Sequence, residues 1–276
     1  MIPPIADRFV AGETAAGALD RARRLNGDGV GAIVNLLGEH HRDPDRVAAD
    51  AAAYRRLVAD IGASDLRACV SVKPTQLGLD LGEATFHRTV DGVARAAADA
   101  GVFLWLDMED ASTTDATLDA YRRLAADHGG VGVCLQANLE RTPDDIRALA
   151  DTPGKIRLVK GAYDEPPHVA HQSGEMVDRA YEACLDLAFR EFGDGVAVAT
   201  HDPRMVERAL DLGAAYGTAF EIQMLMGVRE DAQRALAADH DVWQYVPYGP
   251  AWASYFARRV AERRENLAFA LRALVG

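Results

Sequence analysis

Eight short runs rich in aliphatic and β-branched residues recur along 276 residues, and a stretch with helical periodicity separates each from the next. The runs are GAIVNLLG (31–38), RACVSV (67–72), VFLWLDM (102–108), VGVCLQA (131–137), KIRLVKG (155–161), VAVAT (196–200), TAFEIQM (218–224) and DVWQYVPY (241–248). Being apolar on both faces, they read as strands covered on both sides, the habit of parallel sheets flanked by helices. Amphipathic helices are expected at 13–25, 44–60, 83–100, 114–128, 143–150, 174–192, 203–212 and 229–238. The alternation predicts an α/β fold, a (βα)8 barrel forming one domain over residues 1–276 with its N-terminal helix at 13–25. An open, doubly wound sheet is the alternative arrangement of the same elements.

In such a barrel the chemistry gathers at the C-terminal ends of the strands. Glu39 and His40 follow the first strand, Lys73 the second, Asp107 and Glu109 the third, and Gln136 and Asn138 the fourth. Lys160 and Tyr163 follow the fifth, Thr200 and His201 the sixth, Gln223 the seventh and Tyr245 the eighth. A barrel kept only for stability would place polar groups at few of these ends.

The formal net charge of −12 argues against a nucleic-acid partner, whose binding rests on counterion release to a basic surface. No basic segment followed by an apolar run opens the chain, and no uninterrupted apolar stretch reaches a membrane-spanning length, so a cytoplasmic protein is expected, with peripheral contact at the inner face of the membrane left open. Cys69, Cys134 and Cys184 lack CxxC spacing and read as reduced core residues. Only three lysines occur, Lys73, Lys155 and Lys160. In an arginine-rich chain, Lys73 and Lys160 stand in unusual local sequences and become candidates for specific work.

Several motifs meet a plain structural explanation. Gly27 to Ala32 matches G-x-G-x-x-A, yet it precedes a strand and opens no helix, so it reads as a helix end and turn. His40-His41 has no accompanying ligand spacing and reads as a surface pair, and no metal site is expected. Asp107 and Glu109 could be an acid–base pair, metal ligands with Asp110, or ion-pair partners of Lys73; the ion pair is favoured because it keeps a buried ammonium charged. In RLVKGAYDEPP (157–167), Arg157 and Lys160 bracket an apolar pair and Gly161 permits close backbone approach, which suits an anionic ligand. The alternative is a rim cation paired with Asp164 or Glu165. In YFARRVAE (255–262), helical spacing sets Tyr255, Arg258, Arg259 and Glu262 on one face. No nucleophile elbow, Walker sequence or HExxH is present.

RLVKGAY (157–163), SVKP (71–74), LGE (37–39), ATHDP (199–203), FEIQMLMG (220–227), YVPYG (245–249) and YFARRVAE with Asn266 resemble, in order, the motifs of the proline dehydrogenases. The resemblance runs from about Asn35 to Phe269. It implies a distorted (βα)8 barrel with the last helix over its mouth, FAD bound non-covalently, and oxidation of L-proline to Δ1-pyrroline-5-carboxylate by hydride transfer from C5 to flavin N5. Electrons would pass to a quinone, with a pyrroline-5-carboxylate dehydrogenase as a further partner. On the substrate side it implies Lys73, Arg258 and Arg259 as the carboxylate clamp, Leu225, Tyr245 and Tyr255 around the ring, and Asp107 as the acidic partner. On the cofactor side it implies Arg157 beside N5, with Gln136, Lys160, Gly161, Ala162, Thr200, His201, Gln223 and Glu262 as further FAD contacts. Tyr163 belongs near the same site.

The chain departs from the pattern in two places. Ser173 and Gly174 stand where a basic residue usually reaches the FAD pyrophosphate, and Asn35 stands where Asp is usual. Other readings of the same residues are oxidation of hydroxyproline or another proline analogue, a Schiff-base aldolase using Lys73 or Lys160, and a non-catalytic amino-acid-binding protein. The sequence leaves the oligomeric state open.

Overall fold

The computed structural model of the chain describes residues 8–253 and 255–257. Eight parallel strands close on themselves in sequence order, β1 to β8. They are β1 (Gly31–Leu36), β2 (Ala68–Val72), β3 (Leu104–Leu106), β4 (Val131–Gln136), β5 (Lys155–Val159), β6 (Val196–Ala199), β7 (Phe220–Leu225) and β8 (Val242–Tyr248). Closure is made by β1 against β8, with Gly31 opposite Trp243 and Leu36 opposite Tyr248. Helix α1 (Ala15–Gly27) precedes β1, and α2 (Pro44–Gly62), α3 (Glu83–Asp99), α4 (Thr114–Asp127), α5 (Thr142–Leu149), α6 (Gly174–Glu191), α7 (Pro203–Tyr216) and α8 (Glu230–Leu236) fill the crossovers. The expected barrel is therefore the one found, and each helix and strand expected between residues 13 and 248 exists, while the last helix expected over the mouth lies largely outside the described residues.

Local chemistry fixes the helix starts. Asp43 and Asp202 accept from the backbone two residues on and are each followed by proline, whose fixed φ suits the first helical turn. Thr14 caps α1, so that helix runs two residues later at each end than its periodicity suggests. The run from Gly27 does end a helix, with Asp28 as its C-cap. Strand β3 is shorter than expected because Val102 bonds back to Ala97 at the end of α3.

Apolar side chains pack in three clusters, one of them Phe9, Val10, Leu37 and Tyr255. The largest lies between strands and helices and includes Tyr54, Phe86, Tyr121 and Tyr181. A smaller cluster of Ile33, Cys69, Trp105 and Ala197, with Phe103, Trp243 and Tyr245 against it, fills the barrel interior. Two glycines make room for its indoles. A Cβ on Gly132 would lie 2.5 Å from the Trp105 ring, and one on Gly31 2.4 Å from that of Trp243. All three cysteines are buried and unbridged. His41 departs from the expected surface pair: it is buried, with Nε2 2.9 Å from Oδ2 of Asp50 on α2.

Candidate active site at the barrel mouth

Side chains two residues apart on a strand share a face, so the positions above the interior cluster also point inward. These are Asn35 on β1, Ser71 on β2, Asp107 just past the end of β3, Cys134 on β4 and Arg157 on β5. Asn35, Asp107, Cys134 and Arg157 line a cavity of about 400 Å³ at the C-terminal ends of the strands, and Ser71 is buried against Asp107. Lys73, Asp107, Leu225, Tyr245 and Tyr255 all line it. So do Gln136, Arg157, Lys160, Gly161, Ala162, Thr200, His201 and Gln223. Tyr163 is on the same wall. Arg258, Arg259 and Glu262 lie outside the described residues.

Arg157 and Asp107 form the central ion pair, made by Nη2 and Oδ1 and almost wholly enclosed. Burial opposes the charge on Arg157 most strongly, but Asp107, Cys134 and Tyr245 together outweigh it and the guanidinium is raised above its ordinary value. The Trp105 ring lies 4.9 Å below the guanidinium carbon, a cation–π platform. Asp107 has two further donors: Oδ1 also accepts from Ser71 Oγ at 2.5 Å, and Oδ2 accepts from Tyr245 at 2.7 Å. Gln136 Nε2 donates to the carbonyl of Glu109 at 2.7 Å, and its Oε1 accepts from Ala162 N at 3.3 Å.

Lys73 corrects one expectation. Its ammonium is 3.1 Å from Glu39 Oε2 and 3.5 Å from the Tyr163 hydroxyl, and neither Asp107 nor Glu109 is its direct partner. Glu109 instead accepts from the backbone and hydroxyl of Thr75, each at 2.7 Å. The cause is height in the barrel. Asp107 is pulled inward to Arg157 and Glu109 turns down toward Thr75, while Glu39 reaches over from the loop after β1. Burial works against a charged Lys73, yet Tyr163, Glu109 and Glu39 together raise it above the usual lysine value. Burial pushes Tyr163 up to about 12.

At the opposite rim Lys160 reaches Asp178 on α6 and, at 3.1 Å, Asp202 at the start of α7. Asp164 and Glu165 are not its partners; Glu165 accepts from Ala111 N at 2.7 Å. Ser173 accepts from Met176 N and starts α6. Gly161 has φ +128, and a Cβ there would fall 2.2 Å from Asn138 Oδ1. Among the described residues no three His, Cys, Asp or Glu side chains converge as metal ligands. Likewise, no helix among them is long and apolar enough to cross a membrane.

Cys134 and Trp105 carry no motif of their own in the sequence, and Ser71 opens SVKP without a role assigned to it. Cys134, Ser71 and Trp105 each stand two residues before a site residue on or just past the end of the strand (Gln136, Lys73 and Asp107), and that two-residue period is the signal that points to them.

A sequence model described as Proline dehydrogenase matches residues 18–272. Proline dehydrogenase 1 of Bacillus subtilis is 35% identical over 274 residues, covering 98% of this chain and 90% of that protein. Proline dehydrogenase of Deinococcus radiodurans is 36% identical over 284 residues, with 98% and 90% covered. Among solved structures, proline utilization A from Bdellovibrio bacteriovorus, inactivated by N-propargylglycine, superposes with a TM-score of 0.84 at 23% identity. That match covers 92% of this chain and 32% of the other, so the chain spans about a third of that longer protein and the likeness is one of fold.

Proposed function

Because the chain belongs to the proline dehydrogenase family, oxidoreductases acting on proline, we propose that it oxidises L-proline to Δ1-pyrroline-5-carboxylate with FAD as cofactor, hydride leaving C5 and a quinone taking the electrons. The observation that carries this reading is convergence. Within the described chain, every residue that the family resemblance assigns to substrate or cofactor lines the same cavity.

The donor set suits a flavin. A tricyclic ring edged with carbonyl and imine groups needs apolar faces and in-plane donors, and Met108, Val159 and Met224 alternate with Arg157, Gln136 and Gln223 along the wall. Gly161 lines the cavity with φ +128, a backbone conformation that side chains rarely adopt and that glycine takes without strain. Thr200, His201 and Lys160 would take the polar tail, with Glu262 as a further contact. When bound, the flavin supplies the two-electron acceptor that no amino-acid side chain offers.

The chain's own groups bind and orient. Lys73, with Arg258 and Arg259, holds the substrate carboxylate. Leu225, Tyr245 and Tyr255 close on the ring and exclude water. The cations Lys73 and Arg157 favour an uncharged substrate amine, the form that can release hydride. Asp107 accepts three hydrogen bonds from Ser71, Arg157 and Tyr245, which suits an anchor and not a proton acceptor. No side chain is assigned as general base.

An imine-forming lysine needs its free amine, whereas Lys73 is raised and paired with Glu39 and Lys160 is paired with Asp178 and Asp202, which disfavours the aldolase reading. A quinone at the membrane, a pyrroline-5-carboxylate dehydrogenase partner and a cytoplasmic location complete the proposal. Its test is the visible spectrum of purified protein. A flavin band bleached anaerobically by L-proline is expected; no band after reconstitution with FAD, or a band that proline leaves unchanged, would overturn the reading.

A further inference from the structure

A ladder of polar groups rises inside the barrel beneath Arg157. At its foot Lys155 Nζ lies 2.6 Å from Glu221 Oε2, over the ring of Phe103. Glu221 is only 3% exposed, and its Oε1 accepts from Gln223 Nε2 at 2.6 Å. Gln223, two residues further on the same face of β7, turns its own Oε1 toward Arg157 Nη1 at 3.4 Å. A primary amide has a donor end and an acceptor end. Reversed, Gln223 would set its NH2 against the guanidinium and its carbonyl against the carboxylate. Glu221 thereby decides which end of Gln223 meets Arg157.

We propose that Glu221 is a positioning residue for proline oxidation, acting through Gln223 to fix the orientation of Arg157. The inference rests on the proposed function, in which Arg157 lies beside the flavin. Asp107 holds Arg157 by Nη2 and Trp105 supports its face. The Gln223 contact at Nη1 stops the guanidinium from pivoting in its own plane about the Asp107 bond. Lys155 plays a separate part, neutralising a carboxylate that is otherwise costly to bury.

Three variants separate orientation from stability. Glu221→Leu removes the acceptor; Glu221→Gln keeps an oxygen for Gln223 and discards the charge; Lys155→Met breaks the lower ion pair and spares the Glu221–Gln223 bond. Each holoprotein is assayed for melting temperature, FAD dissociation, flavin midpoint potential and the proline kcat and KM. Glu221→Leu should lower kcat about ten- to a hundredfold, the cost of a misplaced group near the reacting atoms. Its potential should shift negative, because a cation aimed at developing negative charge stabilises it. Glu221→Gln should restore both, and Lys155→Met should lower the melting temperature with kcat and potential close to the parent's. Equal impairment in Glu221→Gln and Glu221→Leu, or a Glu221→Leu protein altered only in melting temperature, would overturn the proposal. If Glu221→Leu does not fold, Glu221→Met set against Glu221→Gln carries the same contrast. Failure of the underlying reading shows separately, as unmutated protein that proline does not bleach.

Discussion

The hydroxyl of Tyr245 donates to Oδ2 of Asp107 across 2.7 Å, tying the eighth strand to the end of the third at the barrel mouth. Burial first, and the neighbouring Asp107 charge second, raise Tyr245 well above the ordinary phenol range, so the hydroxyl remains a donor at any physiological pH. Tyr245→Phe strips one donor from a buried carboxylate. The expected loss is about 1–3 kcal/mol of stability, the cost of an unsatisfied buried group. Urea melts, read beside the proline KM, check it; unchanged stability would mean that water takes the vacated place.

Lys73 is the one described cation assigned to the substrate carboxylate, and Glu39 holds it at 3.1 Å. A lysine raised in the folded state contributes stability fully below its unfolded pKa of about 10.4 and loses it only as pH climbs through the still higher folded value. Between neutrality and that point the proline KM should carry no ionisation of Lys73. Lys73→Met should raise KM about ten- to a hundredfold, equivalent to about 1.5–3 kcal/mol for a hydrogen bond to a charged group. A KM profile across pH, for parent and variant, tests both statements.

Glu109 behaves in the opposite sense. Burial raises its carboxyl, against the pull of Lys73 and the two Thr75 donors. The folded protein therefore holds this proton more tightly than the unfolded chain, and ionisation costs stability once pH rises above the normal glutamate value of about 4.3. Glu109→Gln lacks that cost. The melting temperature of the variant minus that of the parent should grow as pH is raised from about 4 to 7, and a difference that shrinks over this range would contradict the assignment.

Gly161→Ala forces a side chain onto a backbone with φ +128 and against Asn138 Oδ1. Strain of this kind costs about 1–3 kcal/mol. If the loop also lies against the cofactor, the variant should be purified with less flavin per chain than the parent. Absorbance ratios and thermal melts measure the two effects on the same sample.

The strands, the helices and the ring of strand-end residues were legible because a period of two and a period of 3.6 are written locally. The family motifs then named the cavity wall. Pairings across the barrel were not legible. Lys73 and Asp107 end neighbouring strands, yet Asp107 bonds to Arg157 on β5 and to Tyr245 on β8. Which cation a carboxylate meets depends on closure of the sheet and on height along the axis, and neither is encoded in spacing along one segment. The burial of His41 was hidden for a similar reason, since its partner Asp50 sits on the helix that follows and draws it inward.

The notches at Gly31 and Gly132 carry a consequence for sequence drift. Each indole occupies space that its glycine leaves empty, so the glycine cannot gain a side chain while the indole stays. At Gly132 the constraint reaches further, because the displaced ring would be Trp105, on which Arg157 rests. A library that randomises position 132 by itself should return almost only glycine, and escape would require a smaller residue at 105 in the same clone. The floor of the barrel and the chemistry at its mouth are thus bound to one mutational history.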